Sequence, residues 1–394
     1  MIEILILGAG YTGMAAALEL AGRLQNRDDV HITLVNPQTR FVERLRLHQT
    51  ATNQELRDLQ VPDKLAGTGV NFVLGWVTGI DSEAQIVRLD SGATLRYDIL
   101  IYALGGVADT TAVPGADEFT YTLNSARDAA SLADKLDRVA GGTVVVAGSG
   151  LTGVESAAEI AEQHRNLDVI LVSRQQPATM MGKKAQARLH AGLERLGVSI
   201  RSWADIIKVI PDGVVLADGE VVRAEAVLWT AGVRVSPMAA AAGLTVDDRG
   251  RIVTDVSLRS VSHPNIYAVG DAAAIHQGYG VMHGTCQSGI PTAVHAAKSV
   301  VRQLKGKQPK KFRFGYVHQP VSLGRHDAVI QFTHPDDSPR RLYIAGRFAA
   351  RYKETVSSSP WPTYGLLKTL PRLGSLMWRR GGRLTRSLHS AGAR

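Results

Sequence analysis

One strand–turn–helix pattern occurs twice in this chain, 140 residues apart, and it limits the fold more than any other feature. Ile2-Glu3-Ile4-Leu5-Ile6-Leu7 reads as a buried parallel strand, apolar on both faces. It runs into Gly8-Ala9-Gly10-Tyr11-Thr12-Gly13 and then an alanine- and leucine-rich helix, Met14 to about Leu24. A second strand, Ile32-Thr33-Leu34-Val35, ends at Asn36. In the second copy, Val144-Val145-Val146-Ala147 runs into Gly148-Ser149-Gly150-Leu151-Thr152-Gly153. A helix from Val154 to about Gln163 follows, then Val169-Ile170-Leu171-Val172, ending at Ser173.

Each copy is a βαβ unit with Gly-x-Gly-x-x-Gly at the strand-to-helix turn. The first glycine permits the tight turn, the second lets the backbone approach a pyrophosphate, and the third lets helix pack on strand. The anion then lies at the helix N-terminus, where unpaired N–H groups and the dipole favour it. The expected fold class is α/β with two Rossmann-like dinucleotide-binding domains, so two dinucleotides bind one chain. The residue closing each second strand meets the adenosine ribose. Asn36 can hydrogen-bond a ribose without charge. Ser173 and Arg174 would accept a 2′-phosphate that a carboxylate would repel, which favours NADPH over NADH. The alternative is an Arg174 turned to solvent.

Composition removes other classes. The chain has 394 residues, enough for two or three domains, and 45% hydrophobic with 21% charged residues excludes wholesale disorder. Its one cysteine, Cys286, excludes a disulfide framework, a four-cysteine zinc site and an internal dithiol. Cys286 reads as a packed small residue, and the cytoplasm is the simplest compartment. No apolar run reaches ~18 residues, so a spanning helix is not expected. Met1 to Leu7 is too short for a signal peptide and carries Glu3 where a basic flank belongs. Net charge is +9, and residues 360–394 hold seven Lys/Arg with no Asp or Glu. The basicity belongs to a tail, so no nucleic-acid partner is expected.

Two such units in one chain resemble the flavoprotein reductases with two dinucleotide domains. Tyr97-Asp98-Ile99-Leu100-Ile101-Tyr102-Ala103-Leu104-Gly105 resembles their strand ending in Ala-Thr-Gly, with Leu104 in place of Thr. Trp229-Thr230-Ala231-Gly232, closing Ala226–Trp229, is close to the form in type II NADH:quinone oxidoreductases, within the apoptosis-inducing-factor-like branch. Asn265 to Asp271 is similar to the late Gly-Asp motif, Gly270-Asp271, whose Asp binds the FAD ribityl chain. By position, the resemblance gives Arg44 the FAD pyrophosphate and the Val77 backbone the adenine. Glu155, in Gly153-Val154-Glu155, fits the Gly-Val-Glu of the quinone reductases, where this Glu lies near the flavin–nicotinamide contact. A helix-start carboxylate favoured by the dipole is the plain alternative. The disulfide-reducing branches carry a cysteine pair that this chain lacks. Those quinone reductases also line their quinone site with Ala-Gln and, four residues on, Gln-Gln. Here Gln287 remains, but Pro291-Thr292 replaces the second pair.

The resemblance implies FAD and NAD(P)H as cofactors, with Glu155 and Gln287 as catalytic residues and a quinone or similar small molecule as acceptor. A soluble reductase feeding a protein acceptor, as in the ferredoxin reductase branch, is the second reading. An FAD-bound interaction protein with slow turnover is the third. The expected organisation is an FAD domain at 1–113 and 255–315, an NAD(P) domain at 114–254, a small C-terminal sheet at 316–359 and a basic amphipathic tail at 360–394. In that tail Trp361, Tyr364, Leu366, Leu367, Leu370, Leu373, Leu376, Met377 and Trp378 alternate with Lys and Arg. Such a segment suits an anionic bilayer surface, making the protein peripheral on the inner face of the cell membrane. Deleting the whole tail is then expected to spare FAD. A helix docked on its own FAD domain, or on a second copy in a homodimer, is the competing placement.

Overall fold

The apolar runs become two all-parallel sheets. The computed structural model describes residues 1–371, apart from the side chain of Cys286, so the reading of Cys286 as a packed residue and the tail after Pro371 lie outside the described residues. In the first sheet the order is Ile266–Ala268, Ile99–Tyr102, Ile2–Leu7, Val30–Asn36, Val70–Leu74. In the second it is Ala226–Trp229, Gly142–Ala147, Leu167–Ser173, Ser199–Ser202. Every neighbouring pair in both sheets is parallel. Burial on both faces explains the Val, Ile and Leu content of the inner strands.

The duplication is larger than the motif. In both halves the third strand leads into a three-stranded antiparallel meander before the chain returns as the fourth strand. The meanders are Val77–Asp81, Ile86–Leu89, Thr94–Arg96 and Ile206–Ile210, Gly213–Leu216, Val221–Arg223. A short ribbon, Gly106–Val107 antiparallel to Arg234–Val235, links the halves. Ala239, Ala242 and Leu244 pack in one core with Leu5 and Leu7, and Ser82 Oγ donates to the Ala242 carbonyl at 2.6 Å. Residues 239–244 therefore belong with the first sheet.

The expected small third sheet is present as His318–Ser322, Ala328–Thr333 and Pro339–Ala345, all antiparallel. Helix Arg347–Ser358 packs on it through Ala349.

The first part of the tail takes the competing placement, docked on its own FAD domain. Helix Pro360–Thr369 lies on helix Tyr11–Leu24, with Tyr364 and Leu367 fully buried and Trp361 packed beside them. Gly22 makes the crossing: a Cβ there would lie 2.7 Å from the Leu367 and Lys368 carbonyl oxygens. Phe41 meets the Trp361 and Tyr364 rings at 5.2 and 5.8 Å. Trp361, Tyr364 and Leu367 thus face their own protein, not lipid, because an apolar stripe that suits a bilayer suits a notched helix equally. Among the described residues no helix is long and apolar enough to cross a membrane.

Candidate active site

Both glycine turns take the geometry that their sequence requires. Gly8 has φ +94° and Gly148 φ +106°, in the region that favours glycine. A Cβ on Gly13 would lie 1.6 Å from the Gly8 carbonyl oxygen, and one on Gly153 would lie 1.8 Å from that of Gly148. Gly10 and Gly150, in contrast, face open space, with nothing within 4 Å of a Cβ. The helices start at Tyr11 and Leu151 without any side-chain cap. Their first N–H groups are left for an anion, and the open middle glycine lets one approach. This cradle fits a pyrophosphate in each half.

Several expected residues gather around the first turn. The Ala103 carbonyl lies 2.8 Å from where a Gly8 Cβ would be, and Gly105 has φ +65°. Gly270, at φ +67°, packs on Thr12, and its N–H donates to Thr292 Oγ1 at 3.0 Å. Burial raises the Asp271 carboxyl above its ordinary range, opposed by Arg44. Gly284 makes room for that carboxyl, since a Cβ there would lie 2.1 Å from Asp271 Oδ1. Arg44 Nη1 donates to the Gly106 carbonyl at 2.6 Å. Asn36 Oδ1 accepts the Ala9 N–H at 2.9 Å, so Asn36 props the turn itself. Val77 is buried at the start of the first meander.

Around the second turn, Thr230 Oγ1 donates to the Ala147 carbonyl at 2.8 Å, and the Ala231 nitrogen lies 2.9 Å from where a Gly148 Cβ would be. Gly232 has φ +74°. At the strand end Ser173 Oγ donates to the Gln175 carbonyl, and Arg174 Nε meets Asp205 Oδ1 at 2.6 Å. Leu151 and Thr152 form the first helical turn, where the Thr152 carbonyl accepts Ser156 Oγ at 2.7 Å.

Glu155 lies in that helix, buried at the meeting of three chain segments. Its Oε1 accepts the Ser322 N–H at 2.9 Å and Ser322 Oγ at 3.0 Å, and lies 2.9 Å from Lys353 Nζ. Burial opposes ionisation here, yet Lys353 and the Ser322 N–H outweigh it and hold the carboxyl below its usual range. His48 Nδ1 is 4.0 Å from Glu155 Oε2. Burial, then Lys353, push His48 down to about 3, so it is neutral. One turn further, Glu159 is bonded by Gln54, with Arg325 Nη1 at 3.6 Å, and burial raises its carboxyl. Arg325 also reaches Glu354 at 2.9 Å, and Glu354 reaches Arg46 at 2.5 Å.

Residues 2–299 match the model of the pyridine nucleotide-disulphide oxidoreductases. The chain belongs to that family. A NADH dehydrogenase-like protein of Mycobacterium tuberculosis is 29% identical over 383 residues, 91% of this chain and 94% of the relative. A type II NADH:quinone oxidoreductase of Staphylococcus aureus is 28% identical over 389 residues, 90% of this chain and 94% of the relative. The crystal structure of the sulfide:quinone oxidoreductase of Aquifex aeolicus superposes with a TM-score of 0.80 at 18% identity, covering 95% of this chain and 94% of that one. This member of the family is an NAD(P)H-dependent flavoprotein oxidoreductase with FAD as its cofactor. Having one cysteine, it lacks the dithiol that the family name denotes.

Gln287 and Thr292 have duties that the sequence did not signal. Gln287 Nε2 donates to the His318 carbonyl at 2.8 Å, and its Oε1 accepts the Val317 N–H at 2.7 Å. Both ends of the amide are therefore used to tie helix Cys286–Gln303 to the third sheet. Strand His318–Ser322 bonds Gln287 at one end and Glu155 at the other, about 13 Å apart at strand rise. Lys353, His48 and Ser322 went unrecognised in the sequence, where nothing sets them apart from surface polar residues.

The two turns can be separated by substitution. Gly13→Ala is expected to yield protein with little bound FAD, since its Cβ overlaps the Gly8 carbonyl. Gly153→Ala is expected to keep FAD and lose bleaching of the flavin by nucleotide. Overpacking of this kind costs about 1–3 kcal/mol where the backbone must yield. Flavin absorbance of the purified variants, before and after NADPH or NADH, reads both outcomes.

Proposed function

We propose that this oxidoreductase takes two electrons from NAD(P)H and delivers them to a quinone or similar small acceptor at an anionic membrane surface. The observation that carries the reading is the pair of glycine cradles, joined by a two-stranded ribbon in a chain without a cysteine pair. With no internal dithiol, the electrons leave to an external acceptor. The names of the M. tuberculosis and S. aureus relatives support NADH as a donor and a quinone as that acceptor. FAD in the first cradle supplies the two-electron relay. The helix starts at Tyr11 and Leu151 hold the two pyrophosphates, with Arg44 beside the first and Asp271 taking the ribityl chain. Asn36 and the Val77 backbone serve the FAD adenosine, and Ser173 with Arg174 serves that of the nucleotide. Glu155, kept anionic by Lys353, sets the field at the nicotinamide side. The net reaction is NAD(P)H plus a proton plus quinone, giving NAD(P)⁺ and quinol.

Steady-state oxidation of NADH and NADPH against a panel of quinones and one ferredoxin tests the acceptor. Fast turnover with the ferredoxin alone would replace the quinone reading, and no efficient acceptor would point to an interaction protein. Arg174→Glu is expected to weaken NADPH about 10- to 100-fold more than NADH, the loss of one charge-assisted bond. The substitution also sets a carboxylate beside Asp205. Equal losses for both nucleotides would show that Arg174 does not read the 2′-phosphate. The surface part of the reading rests on residues 372–394, which hold six Arg and no Asp or Glu. Deleting them should abolish cosedimentation with anionic vesicles at low salt.

A further inference from the structure

The duplication places a tryptophan at the same edge of both parallel sheets. In the first half Asn36 closes the second strand and is paired with Leu74 of the third. In the second half Ser173 is paired with Ser202 in the same way. Just past each pair the outgoing chain turns back on the strand end. The Gly75 N–H donates to the Asn36 carbonyl at 3.0 Å, and the Ala204 N–H donates to the Ser173 carbonyl at 3.0 Å. Trp76 follows Gly75, and Trp203 precedes Ala204. These are the exposed tryptophans of the described residues, at 59% and 73%, whereas Trp229 is buried and Trp361 is packed against the first core.

Leaving an indole in water forgoes one of the largest apolar gains available to a side chain. Both backbones are nevertheless fixed. The Trp76 N–H donates to Asp90 Oδ1 at 3.0 Å, and its carbonyl accepts the Asp90 N–H at 2.9 Å. Trp203 is held at φ +62°, an unfavourable region for a bulky residue. Such strain persists only where the surroundings enforce it, and it concentrates at ligand sites.

The chemistry of the position says what an exposed indole there can hold. The residue ending the second strand meets the adenosine ribose, and the base is bonded directly to that ribose. The next protein group along that edge is the loop leaving the third strand, which carries Trp76 in one half and Trp203 in the other. A purine offers a flat π-face and asks for no particular hydrogen bond when it stacks. We propose that Trp76 and Trp203 are the adenine-stacking platforms of the two sites, Trp76 for FAD and Trp203 for NAD(P)H. The assignment rests on the reading of one dinucleotide per cradle, and it gives the two exposed indoles a single purpose. Asp205, two residues past Trp203 and paired with Arg174, then brings the phosphate-reading arginine next to the same platform.

The test uses the flavin-loaded protein. Trp203→Ala is expected to raise the dissociation constants of NADP⁺ and NAD⁺ by about tenfold, the loss of one base–aromatic stack. Both should rise alike, since a stack does not sense the 2′-phosphate, and Trp203→Phe should recover most of the loss. Trp76→Ala should leave both nucleotide constants unchanged and raise the FAD dissociation constant by a similar, about tenfold, factor. Isothermal titration with NADP⁺ and NAD⁺ reads the first pair, and flavin retained after exhaustive dialysis reads the second. Because both side chains are exposed, Trp203→Ala should unfold thermally like the parent, and Trp76→Ala should lose only the stability that tighter flavin binding supplies. Nucleotide constants unchanged in Trp203→Ala, flavin retention unchanged in Trp76→Ala, or the two effects exchanged, would each overturn the proposal. Quinone turnover separates it from the proposed function. Binding that depends on Trp203 without quinone reduction sinks the acceptor reading alone, and quinone reduction with binding indifferent to Trp203 sinks the platforms alone.

Discussion

A chain ending at Ser359 is expected to lose FAD or to aggregate, whereas one ending at Pro371 keeps its flavin. The difference is helix Pro360–Thr369. Full burial of Tyr364 and Leu367 is worth about 1.5–3 kcal/mol each. The ring contacts of Phe41 with Trp361 and Tyr364 add about 0.5–1.5 kcal/mol apiece. Together these approach the ~5–15 kcal/mol that holds an ordinary protein folded. The loss also falls at the cofactor. Tyr364 Oη donates to the Tyr11 carbonyl at 3.0 Å, and Tyr11 opens the uncapped helix proposed above to hold the FAD pyrophosphate. Lys368 Nζ donates to the Ala66 carbonyl and Arg23 Nη2 to that of Pro371, pinning both flanks. Gel filtration and the ratio of flavin to protein absorbance check it. A Ser359-ended chain that stays monomeric with full flavin would show that the docked helix contributes little.

The two βαβ units were legible because each glycine of the motif answers a steric demand that no other residue meets. The strands were legible because parallel sheets bury both faces. The meanders were not. Ile86–Leu89 and Gly213–Leu216 are short and alternate weakly, so the larger repeat appears only when the strands are paired. The tail was ambiguous for a physical reason. Trp361, Tyr364 and Leu367 form a stripe that fits lipid or a neighbouring helix, and the deciding residue, Gly22, lies far away in the sequence. Gln287 was assigned to the acceptor from resemblance, yet the backbone groups of Val317 and His318 take both ends of its amide. Lys353 was invisible because helix Arg347–Ser358 also carries Arg347, Arg351 and Glu354, the pattern of a solvated face. Only the tertiary fold, which sets Glu155 against it, makes Lys353 a buried partner.

Lys353→Met is expected to destabilise the protein by about 3–5 kcal/mol at neutral pH, the loss that follows removal of one member of a buried ion pair. The side chain is nearly isosteric, so the effect comes from charge. Glu155 would be left as a buried carboxylate with Ser322 as its remaining donor. In the parent, burial raises the Glu155 pKa, but Lys353 and Ser322 bring it below the ordinary value. A lowered carboxyl contributes stability above its unfolded pKa and loses it as pH falls through the folded one. Without Lys353 burial loses its largest opponent, so the folded pKa of Glu155 rises relative to the parent. The variant is therefore penalised most where Glu155 must be charged, and a proton taken up at Glu155 or at His48 relieves it. The gap in Tm between parent and variant should be widest at neutral pH and narrow as pH falls toward the ordinary carboxyl range. Glu155→Gln removes the other member of the pair and should keep FAD while slowing both flavin reduction and reoxidation. The double variant, Glu155→Gln with Lys353→Met, should be more stable than Lys353→Met alone, since no charge is then left unpaired at that position. Thermal unfolding of the four proteins across pH, with stopped-flow flavin reduction beside it, separates field from packing. If Lys353→Met lowered Tm equally at every pH and the double variant were no better, the pair would act through shape, and Glu155 would owe nothing to the lysine charge.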